Sequence, residues 1–336
     1  MKAKNMMAAM LAALTGSFLI TAAAVAAPRF TMKLTTTTTN DAGVEWLNTL
    51  KKGIDARSGG RIKVEVYPAG QLGSAPRTIE GVTMGTVEVA LNASGFYESL
   101  DPRFGVLSAT GIFDSMEQGN KVLSDPEIRK LLASYGKSKG YEVLTTFMHT
   151  PVAVATNEPF KTLTDIQGKK LRVPGSPLFL HMFKALGAAP LSMSLGEVLP
   201  AMQNKTIDGA VSGNTIFTSL KFYDVTKTMT YLPSTHIAVV AIINSQFLKT
   251  IGPELSAIVK EEARKADEHI YTWAAQDADN ARKVWEQHGG KSLTLDAPDA
   301  ARFVKLAQES AEAVFSKNPQ EKADYEIFKA VAQKYR

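Results

Sequence analysis

Strand-like and helix-like periodicities alternate over residues 30–91, and this alternation constrains the fold more than any other feature of the chain. Apolar residues recur at every second position in the strand-like stretches and at every third or fourth position in the helix-like ones. In chain order, the predicted elements are a strand from Phe30 to Leu34, a helix through Leu47, Leu50 and Ile54, a strand from Arg61 to Tyr67, a helix from Ala75 to Met84 and a strand from Val87 to Leu91. This order is typical of an α/β fold in which helices cover a parallel sheet.

A second unit of the same kind is predicted further along the chain. It follows a helix that begins at Asp125-Pro126, with Asp as N-cap and Pro in the first turn, and ends near Gly140. The later elements are strands over Tyr141 to Met148 and Val152 to Thr156, a strand from Lys170 to Val173, a helix from Ser176-Pro177 to Gly187, a helix from Ser194 to about Asn204, a short strand at Ala210-Val211 and a buried strand from Ile237 to Asn244. Two α/β lobes are therefore expected.

The stretch from Pro253 to about His288 contains no further proline or glycine, and its apolar residues have helical spacing. A helix of about 35 residues would be about 50 Å long. Because this is more than one lobe needs, the helix should contact both lobes. Two further helices are predicted, from Ala297 to about Ser316 and from Pro319 to Tyr335.

The charge balance and the lack of cysteine exclude several classes of function. The 336 residues include 38 Lys and Arg against 33 Asp and Glu, a net charge of +5, and the two signs are interspersed, as over residues 260–265. Nucleic-acid binding favours a basic stripe, so we predict a mixed solvated surface and no nucleic-acid partner. The absence of cysteine excludes disulfides, thiol nucleophiles and Cys-ligated metals.

The N-terminus has the pattern of a secretory signal peptide. Lys2 and Lys4 precede an apolar run that starts at Met6, and Ala24-Val25-Ala26 supplies the small residues that signal peptidase needs. We therefore expect export to the periplasm, with cleavage near Ala26. The alternative is an uncleaved membrane anchor, which the polar and glycine residues inside the run disfavour.

Motifs of the common enzyme classes are not found in the sequence. There is no Gly-rich dinucleotide or phosphate loop, no G-x-S-x-G and no H-E-x-x-H. The five histidines are dispersed without metal-ligand spacing. Glu197 and Asp208 could pair as carboxylates, but Glu197 fits a capping box and Asp208 fits a turn. We predict no catalytic residue, no metal site and no cofactor, and a secreted enzyme acting on a small carboxylate stays as an alternative.

Arg172 lies where a short apolar strand, Lys170 to Val173, meets the loop before a capped helix. In open α/β sheets, ligands bind beyond the carboxyl ends of the strands. A guanidinium matches a carboxylate with two parallel hydrogen bonds, which lysine cannot reproduce. Arg172 is therefore a candidate carboxylate ligand, although an arginine at a strand end is more often an ordinary surface residue.

Four ordered blocks resemble the extracytoplasmic solute-binding subunits of tripartite ATP-independent periplasmic (TRAP) transporters. Residues 165–174 are similar to the family's D-x-x-G-x-K-x-R-V-P block, and residues 68–73 to its P-x-G-Q-L-G turn. Residues 80–88 resemble E-x-V-x-x-G-x-x-(D/E), and residues 197–209 resemble E-V-x-x-A-(L/M)-Q-x-x-x-(V/I)-D-G. Order and spacing hold from about Phe30 to Asn244, and the long helix after Pro253 fits the family's helix that spans both lobes, so the resemblance covers nearly the whole chain after the signal peptide.

The resemblance implies a two-lobed α/β periplasmic binding protein, with a long helix spanning both lobes, that closes around an organic anion and presents it to a TRAP membrane permease. We expect a signal peptide (1–26), lobe I (mainly 27–150), lobe II (mainly 151–240) and a shared C-terminal part (241–336). We expect a monomer. The receptor of an ATP-driven importer is a further alternative.

The resemblance also implies site residues. The family's carboxylate-binding arginine falls on Arg172, whereas Glu158 appears where many members have a second arginine. An acidic residue at that place would repel a second carboxylate, so a monocarboxylate is expected rather than a dicarboxylate. A surface position for Glu158, just before Pro159, is an equal alternative. The other positions that match cleft segments are Asn92, Ser94, Phe113, His149, Asn214, Phe217 and His236. For Phe113 and Phe217, a place in the core is an equal alternative.

Overall fold

A mixed sheet of nine strands forms the centre of the computed structural model, which describes residues 29–136 and 138–336. The predicted signal peptide and its cleavage site lie outside the described residues. The strands are β1 (Phe30–Thr36), β2 (Ile62–Tyr67), β3 (Val89–Ala93), β4 (Tyr141–Thr156), β5 (Lys170–Val173), β6 (Ala189–Ser192), β7 (Gly209–Gly213), β8 (Thr228–Asn244) and β9 (Lys291–Thr294). Their order across the sheet is β2-β1-β3-β8-β4-β7-β5-β6, with β9 beside β8.

Ten α-helices pack around this sheet in the described part of the chain. They are α1 (Ala42–Arg57), α2 (Ala75–Met84), α3 (Met116–Ser124), α4 (Pro126–Leu132), α5 (Pro177–Ala185), α6 (Leu195–Gln203), α7 (Asn214–Ser219), α8 (Ser245–Gln287), α9 (Ala297–Phe315) and α10 (Pro319–Gln333). Short 3-10 helices span Ser94–Tyr97, Pro102–Ser108 and Phe222–Asp224. No helix in these residues is both long and apolar enough to cross a membrane.

Two groups of parallel strands define the two lobes. In lobe I, β1 pairs in parallel with β2 and β3, and in lobe II, β5 pairs in parallel with β6 and β7. The long antiparallel strands β4 and β8 belong to both lobes. The second half of β8 pairs with β3 and the second half of β4 pairs with β7. The predicted two-lobed α/β fold is confirmed.

Three predicted element boundaries need correction, two in the central strands and one in a helix. The two strands predicted over 141–156 are one strand, β4, whose pairing with β8 shifts register at Pro151 and two other places. A proline is tolerated there because the ladder is already interrupted. Strand β8 begins at Thr228, nine residues before the apolar run, because Thr228 to Tyr231 pair with the second half of β4. Helix α4 ends at Leu132 instead of near Gly140, and turns follow it.

Helix α8 contacts both lobes, as predicted from its length. Gly252 interrupts it with φ 82° and ψ 169°, so the uninterrupted helix starts at Pro253, the predicted residue. Asp267 of α8 accepts a hydrogen bond from Trp46 Nε1 of α1 at 2.8 Å. Further along, the carbonyl of Ala278 accepts one from Asn214 Nδ2 of α7 at 2.8 Å. These two contacts fix α8 against lobe I and lobe II.

Candidate ligand-binding cleft

A cavity lies between the lobes, at the carboxyl ends of β1, β3, β5 and β7. Its volume is about 40 Å³, so it holds no more than a few water molecules as it stands. The lining residues are Thr36, Thr37, Thr38, Leu91, Asn92, Ala93, Phe96, His149, Arg172, Pro174, Leu195, Ser212, Ile216, Ile237 and Val239. We call this space the cleft cavity. Its position agrees with the strand-end rule used to select Arg172.

The guanidinium of Arg172 is fixed by backbone carbonyls on both sides of β5. Its Nε and Nη2 atoms donate to the carbonyl of Met193, after β6, at 3.2 and 3.1 Å. Its Nη1 atom donates to the carbonyl of Val211, in β7, at 3.2 Å. A guanidinium has five N–H groups, and these bonds use one on each nitrogen. One N–H on each terminal nitrogen therefore remains for another acceptor.

Arg172 is buried without an anionic partner in the described part of the chain. Its side chain is 2% exposed, and no carboxylate lies within ion-pair distance of it. Burial lowers its pKa to about 10, which still leaves the group charged at neutral pH. A buried charge is costly unless an opposite charge and hydrogen bonds compensate it. The cleft cavity thus contains a cation that its own chain leaves unbalanced.

The lobe I wall of the cavity contains a directional chain of hydroxyl groups. Thr38 Oγ1 donates to Asp41 Oδ1 at 2.9 Å. Thr36 Oγ1 lies 3.2 Å from Thr38 Oγ1. Because a hydroxyl has one proton and that of Thr38 is already directed to Asp41, Thr36 must be the donor in this pair. The Thr36 hydroxyl therefore has only acceptor lone pairs left for a ligand.

Asn92 is a second residue of this wall with an unused hydrogen-bond acceptor. Its Nδ2 atom lies 3.4 Å from Thr78 Oγ1, a long hydrogen bond. Its Oδ1 atom is buried and receives no hydrogen bond from the residues described. The side chain is 3% exposed and lines the cavity. A buried carbonyl oxygen of this kind is expected to have a donor, and a ligand would supply one.

His149 also lines the cavity and is 2% exposed. Its Nε2 atom lies 3.1 Å from Asp41 Oδ2. Its Nδ1 atom is buried and has no hydrogen-bond partner among the residues described. His149 therefore has one ring nitrogen beside a buried carboxylate and the other without a protein partner.

The lobes touch directly beside Arg172. Ser176, the N-cap of α5, donates from Oγ to Glu98 Oε1 at 2.8 Å, and Glu98 is 8% exposed. Burial raises the pKa of Glu98 to about 8. The ring of Phe96 lies so close to Gly175 that a Cβ there would come within 2.7 Å of it. The segment that carries Arg172 is thus packed against the 3-10 helix that carries Phe96.

Of the nine residues predicted for the site, three line the cleft cavity: Arg172, Asn92 and His149. Ser94 is buried nearby and hydrogen-bonds with Ser108 at 3.1 Å. Asn214 is also buried, and it uses its amide to join β4 to α8 by accepting from Thr150 at 2.7 Å and donating to Ala278. Both residues hold the walls together without lining the cavity.

The other four predicted residues lie elsewhere. Phe113 packs edge to face on Phe328, and Phe217 packs on Phe222, both inside hydrophobic cores. Burial lowers the pKa of His236 to about 4, and His236 is not among the lining residues. The Glu158 side chain is 79% exposed and pairs with Lys169 at 3.0 Å. None of these four side chains contributes to the cavity wall.

Several lining residues were not predicted from the sequence. Thr36 is the last residue of β1, Thr38 follows that strand, and Ser212 lies at the end of β7, so the strand-end rule that selected Arg172 would also have selected them. Phe96 belongs to a 3-10 helix that has no periodic signal in the sequence. Its position depends on the contact with Gly175, which joins distant parts of the chain.

Comparison with known proteins agrees with this architecture. The family model described as "Bacterial extracellular solute-binding protein, family 7" matches residues 35–318. The 2,3-diketo-L-gulonate-binding periplasmic protein of Escherichia coli is 25% identical over 242 residues, 72% of this chain and 74% of the relative. The C4-dicarboxylate-binding protein of Bacillus subtilis is 28% identical over 224 residues, 66% of this chain and 64% of the relative.

Solved structures share the fold. A sugar acid binding protein from Advenella mimigardefordensis, in complex with galactonate, superposes with a TM-score of 0.87 at 22% identity, covering 92% of this chain and 99% of that one. A TRAP periplasmic solute binding protein from Desulfovibrio salexigens, with bound orotic acid, gives a TM-score of 0.86 at 19% identity, covering 91% and 99%. Since the family model matches most of the chain, this protein belongs to family 7 of the bacterial extracellular solute-binding proteins, the periplasmic solute-binding proteins of TRAP transporters.

Proposed function

We propose that this protein captures a small organic monocarboxylate in the cleft cavity with high affinity, and delivers it to a TRAP-type membrane permease. The observation that carries the proposal is the state of Arg172, which is buried, unpaired with any carboxylate of the described residues and left with one N–H on each terminal nitrogen. A ligand carboxylate would supply both the missing charge and the two missing acceptors. Exclusion of water between the lobes would strengthen that pair.

One carboxylate is favoured over two because of the charges on the cavity wall. Arg172 is the single lysine or arginine among the described lining residues. A second carboxylate would have to be buried against Thr, Asn and His side chains, where its desolvation would not be compensated by a second permanent cation. The exposed Glu158 does not contribute to this preference, since it lies outside the wall.

The test is a thermal-shift screen of carboxylic acids on the full chain, followed by calorimetric titration of the hits. A ligand raises the stability of the folded state by RT ln(1 + [L]/Kd). We expect Arg172→Ala to weaken binding about a hundredfold or more, because it removes the charged partner of a buried pair. Arg172→Lys should recover little, since an ammonium does not reproduce the two-donor fork.

Arg302→Ala is the matched control, because Arg302 is exposed and does not line the cavity. It should bind as the unaltered protein does. Unchanged ligand-induced stabilisation in both Arg172 variants would remove Arg172 from the site. Dicarboxylates binding more tightly than matched monocarboxylates would contradict the charge argument.

Binding without turnover is the second part of the proposal. The family that matches the chain consists of solute-binding proteins. Recovery of the bound acid unchanged and in stoichiometric amount after long incubation would support binding alone. Conversion of the acid would favour the secreted enzyme. We also expect a monomer that does not bind nucleic acid, which sedimentation with and without DNA would check.

A further inference from the structure

We propose that His149 compensates charge at the cleft cavity, and that its imidazole takes up a proton from solvent when a carboxylate binds at Arg172. This inference rests on the proposed function, because it takes Arg172 as the carboxylate site. It adds a second charged partner for the bound acid and a dependence of affinity on pH. Both follow from a buried cluster of titratable groups behind the cavity wall.

His149 and two carboxylates form this cluster. His149 lies in β4, at a place where the pairing with β8 shifts register between Met148 and Thr150. Its Nε2 atom lies 3.1 Å from Oδ2 of Asp41, the N-cap of α1. The second carboxylate is Asp277 of α8, which interacts electrostatically with both Asp41 and His149. We call these three residues the His149 cluster.

The His149 cluster contains polar atoms that the rest of the described chain does not satisfy. Asp41 Oδ2, His149 Nδ1 and Asp277 Oδ2 are all buried without a hydrogen-bond partner among the residues described. Neither carboxylate has a lysine or arginine within ion-pair distance in the described part of the chain. Burial, together with the charge of Asp41, raises the pKa of Asp277 to about 6. With two acidic groups for one basic group, the cluster gains stability from an additional proton when more negative charge approaches.

The other charged groups around His149 are few. Arg172 of β5 lines the same cavity. On the neighbouring strand β8, His236 interacts with the backbone of Phe113 and with the charge of Asp114, and it does not line the cavity. Among the described residues, β7 and α7 contribute only uncharged side chains to the wall. Arg172 and the His149 cluster are therefore the charged groups that a bound carboxylate would encounter.

A carboxylate on Arg172 would bring a negative charge close to the His149 cluster. The cavity has a volume of about 40 Å³, so little water would remain between them, and charges interact more strongly where water is excluded. His149 is the one member of the cluster that lines the cavity. A neutral imidazole has one N–H, and a second proton makes it a cation. Protonation of His149 would thus offset the repulsion of the bound acid by Asp41 and Asp277.

This coupling has a definite direction. A ligand that favours the protonated protein binds more tightly where protons are more abundant, and the coupling is reciprocal. An imidazole ordinarily changes charge near pH 6.5, whereas a simple carboxylic acid stays ionised above about pH 6. Affinity should therefore fall as pH rises from about 6 to about 8.5, although the charge of the acid does not change over this range.

Calorimetric titration of the full chain with propanoate tests the proposal, since the carboxylate of this probe is its only titratable group. Titration in two buffers of different ionisation enthalpy measures the protons taken up. We expect an uptake of about half a proton or more at about pH 7, and binding about tenfold weaker at about pH 8.5 than at about pH 6. No uptake, with an affinity independent of pH, would overturn the proposal.

His149→Gln keeps a polar side chain that cannot take up a proton. We expect the uptake to fall to near zero and binding at about pH 6 to weaken about tenfold, with less than about a threefold change at about pH 8.5. A purely structural role would weaken binding equally at every pH and leave the uptake unchanged, and that result would overturn the proposal. His181→Gln, at an exposed position on α5, is the matched control and should change neither quantity.

Two further variants locate the proton. Glu98→Gln removes the other buried carboxyl beside the cleft, and the uptake should persist in it; loss of the uptake there, with retention in His149→Gln, would overturn the proposal. Asp277→Asn keeps an oxygen for the backbone of Ala42 and removes one negative charge. It should bind propanoate about threefold more tightly at about pH 8.5. If His149→Gln does not fold, Asp277→Asn decides the question, since an unchanged affinity and pH profile would show that the cluster does not act on the bound acid.

The outcomes separate this inference from the proposed function. If Arg172→Ala abolishes binding while affinity does not depend on pH, the carboxylate site stands and the proton-linked role of His149 fails. If propanoate binds equally well to Arg172→Ala, or does not bind to the unaltered protein at concentrations up to about 0.1 M, the proposed function fails at its first step and this inference fails with it.

Discussion

Arg103 and Arg172 are the same residue type in two regions of one molecule, but their charges are balanced differently. Arg103 donates to both carboxylate oxygens of Asp101, at 2.9 and 2.6 Å, and lies over the ring of Tyr135. Arg172, at the cleft cavity, donates only to backbone carbonyls. The side chain of Arg103 is 21% exposed, whereas Arg172 is almost fully buried, so the more buried cation is the one without an anionic partner in the described part of the chain.

This difference separates a structural arginine from a binding arginine. A charge that its own chain neutralises contributes to folding and has no need of a ligand. A charge that is buried without an anion raises the energy of the empty protein, and an anionic ligand removes that cost on binding. A second buried ionisable group, Glu98, is 8% exposed and has no cationic partner among the residues described, but burial raises its pKa to about 8 and so leaves it uncharged at neutral pH.

Glu98→Gln should change the unfolding free energy more than the other substitutions, and the size of the change should depend on pH. Burial raises the pKa of Glu98 from its ordinary value of 4.5 to about 8. Since this pKa is raised on folding, protonation of Glu98 stabilises the folded state fully below about pH 4.5, and this contribution is lost as pH rises to about 8. Gln stays neutral and can still accept from Ser176. We expect the variant to exceed the unaltered protein in unfolding free energy by on the order of 3 kcal/mol at about pH 8.5, and by nothing at about pH 4.

Urea unfolding across this pH range checks the prediction. Glu309→Gln, at an exposed position on α9, is the matched control and should leave the pH profile as it is. Parallel profiles for Glu98→Gln and the unaltered protein would show that Glu98 is ionised in the folded state. In that case the structure would hold two buried charges without partners among the described residues, Arg172 and Glu98, instead of one.

Arg103→Met and Arg172→Met should change stability in different ways. Arg103→Met leaves the buried Asp101 without its partner, and we expect a loss of about 2 kcal/mol in unfolding free energy. Arg172→Met removes an unbalanced buried charge, so stability without ligand should change by less than about 1 kcal/mol, in either direction. Ligand affinity should be kept in Arg103→Met and lost in Arg172→Met.

Urea unfolding at neutral pH without ligand, with calorimetry of an acid that binds, measures both quantities. The contrast between the two arginines would disappear if Arg172→Met unfolded as easily as Arg103→Met. It would also disappear if Arg103→Met lost its ligand while still folded.

Local patterns in the sequence predict most of the fold. The helix from Ala75 to Met84 is found with the predicted bounds, because Pro76 near its start and the left-handed Gly85 at its end are local signals. The continuity of β4 and the start of β8 cannot be predicted from local patterns. Whether β4 continues through Pro151, and whether β8 starts before its apolar run, depends on pairing between strands about ninety residues apart in the chain, and no local pattern records this.

The candidate site was predicted best where one strand end determines the position of a side chain. Arg172 and Asn92 each lie one residue before the end of a strand, β5 and β3, and both line the cleft cavity. Phe113 and Phe217 lie in loops or helices whose direction is set by tertiary packing, and both are buried in cores. An aromatic residue after a strand is equally consistent with a cavity wall and with a core, so residue type alone could not decide between them.

Glu158→Gln should change ligand affinity less than the other substitutions change stability or affinity. It tests whether an exposed charge influences binding in the cleft cavity. Glu158 and Arg172 are both charged and both were predicted for the site, but Glu158 is 79% exposed and pairs with Lys169 on the surface. Exposed pairs contribute about 0 to 1 kcal/mol. We therefore expect Glu158→Gln to change the affinity for any bound acid by less than about twofold, since a screened charge outside the cavity wall has little effect on a buried carboxylate. A tenfold change in the calorimetric titration that defines the Arg172 variants would mean that the ligand, or the closed form of the protein, extends to the Glu158 surface. The cleft cavity would then be only part of the site, and the monocarboxylate preference would have to include the charge of Glu158 as well as that of Arg172.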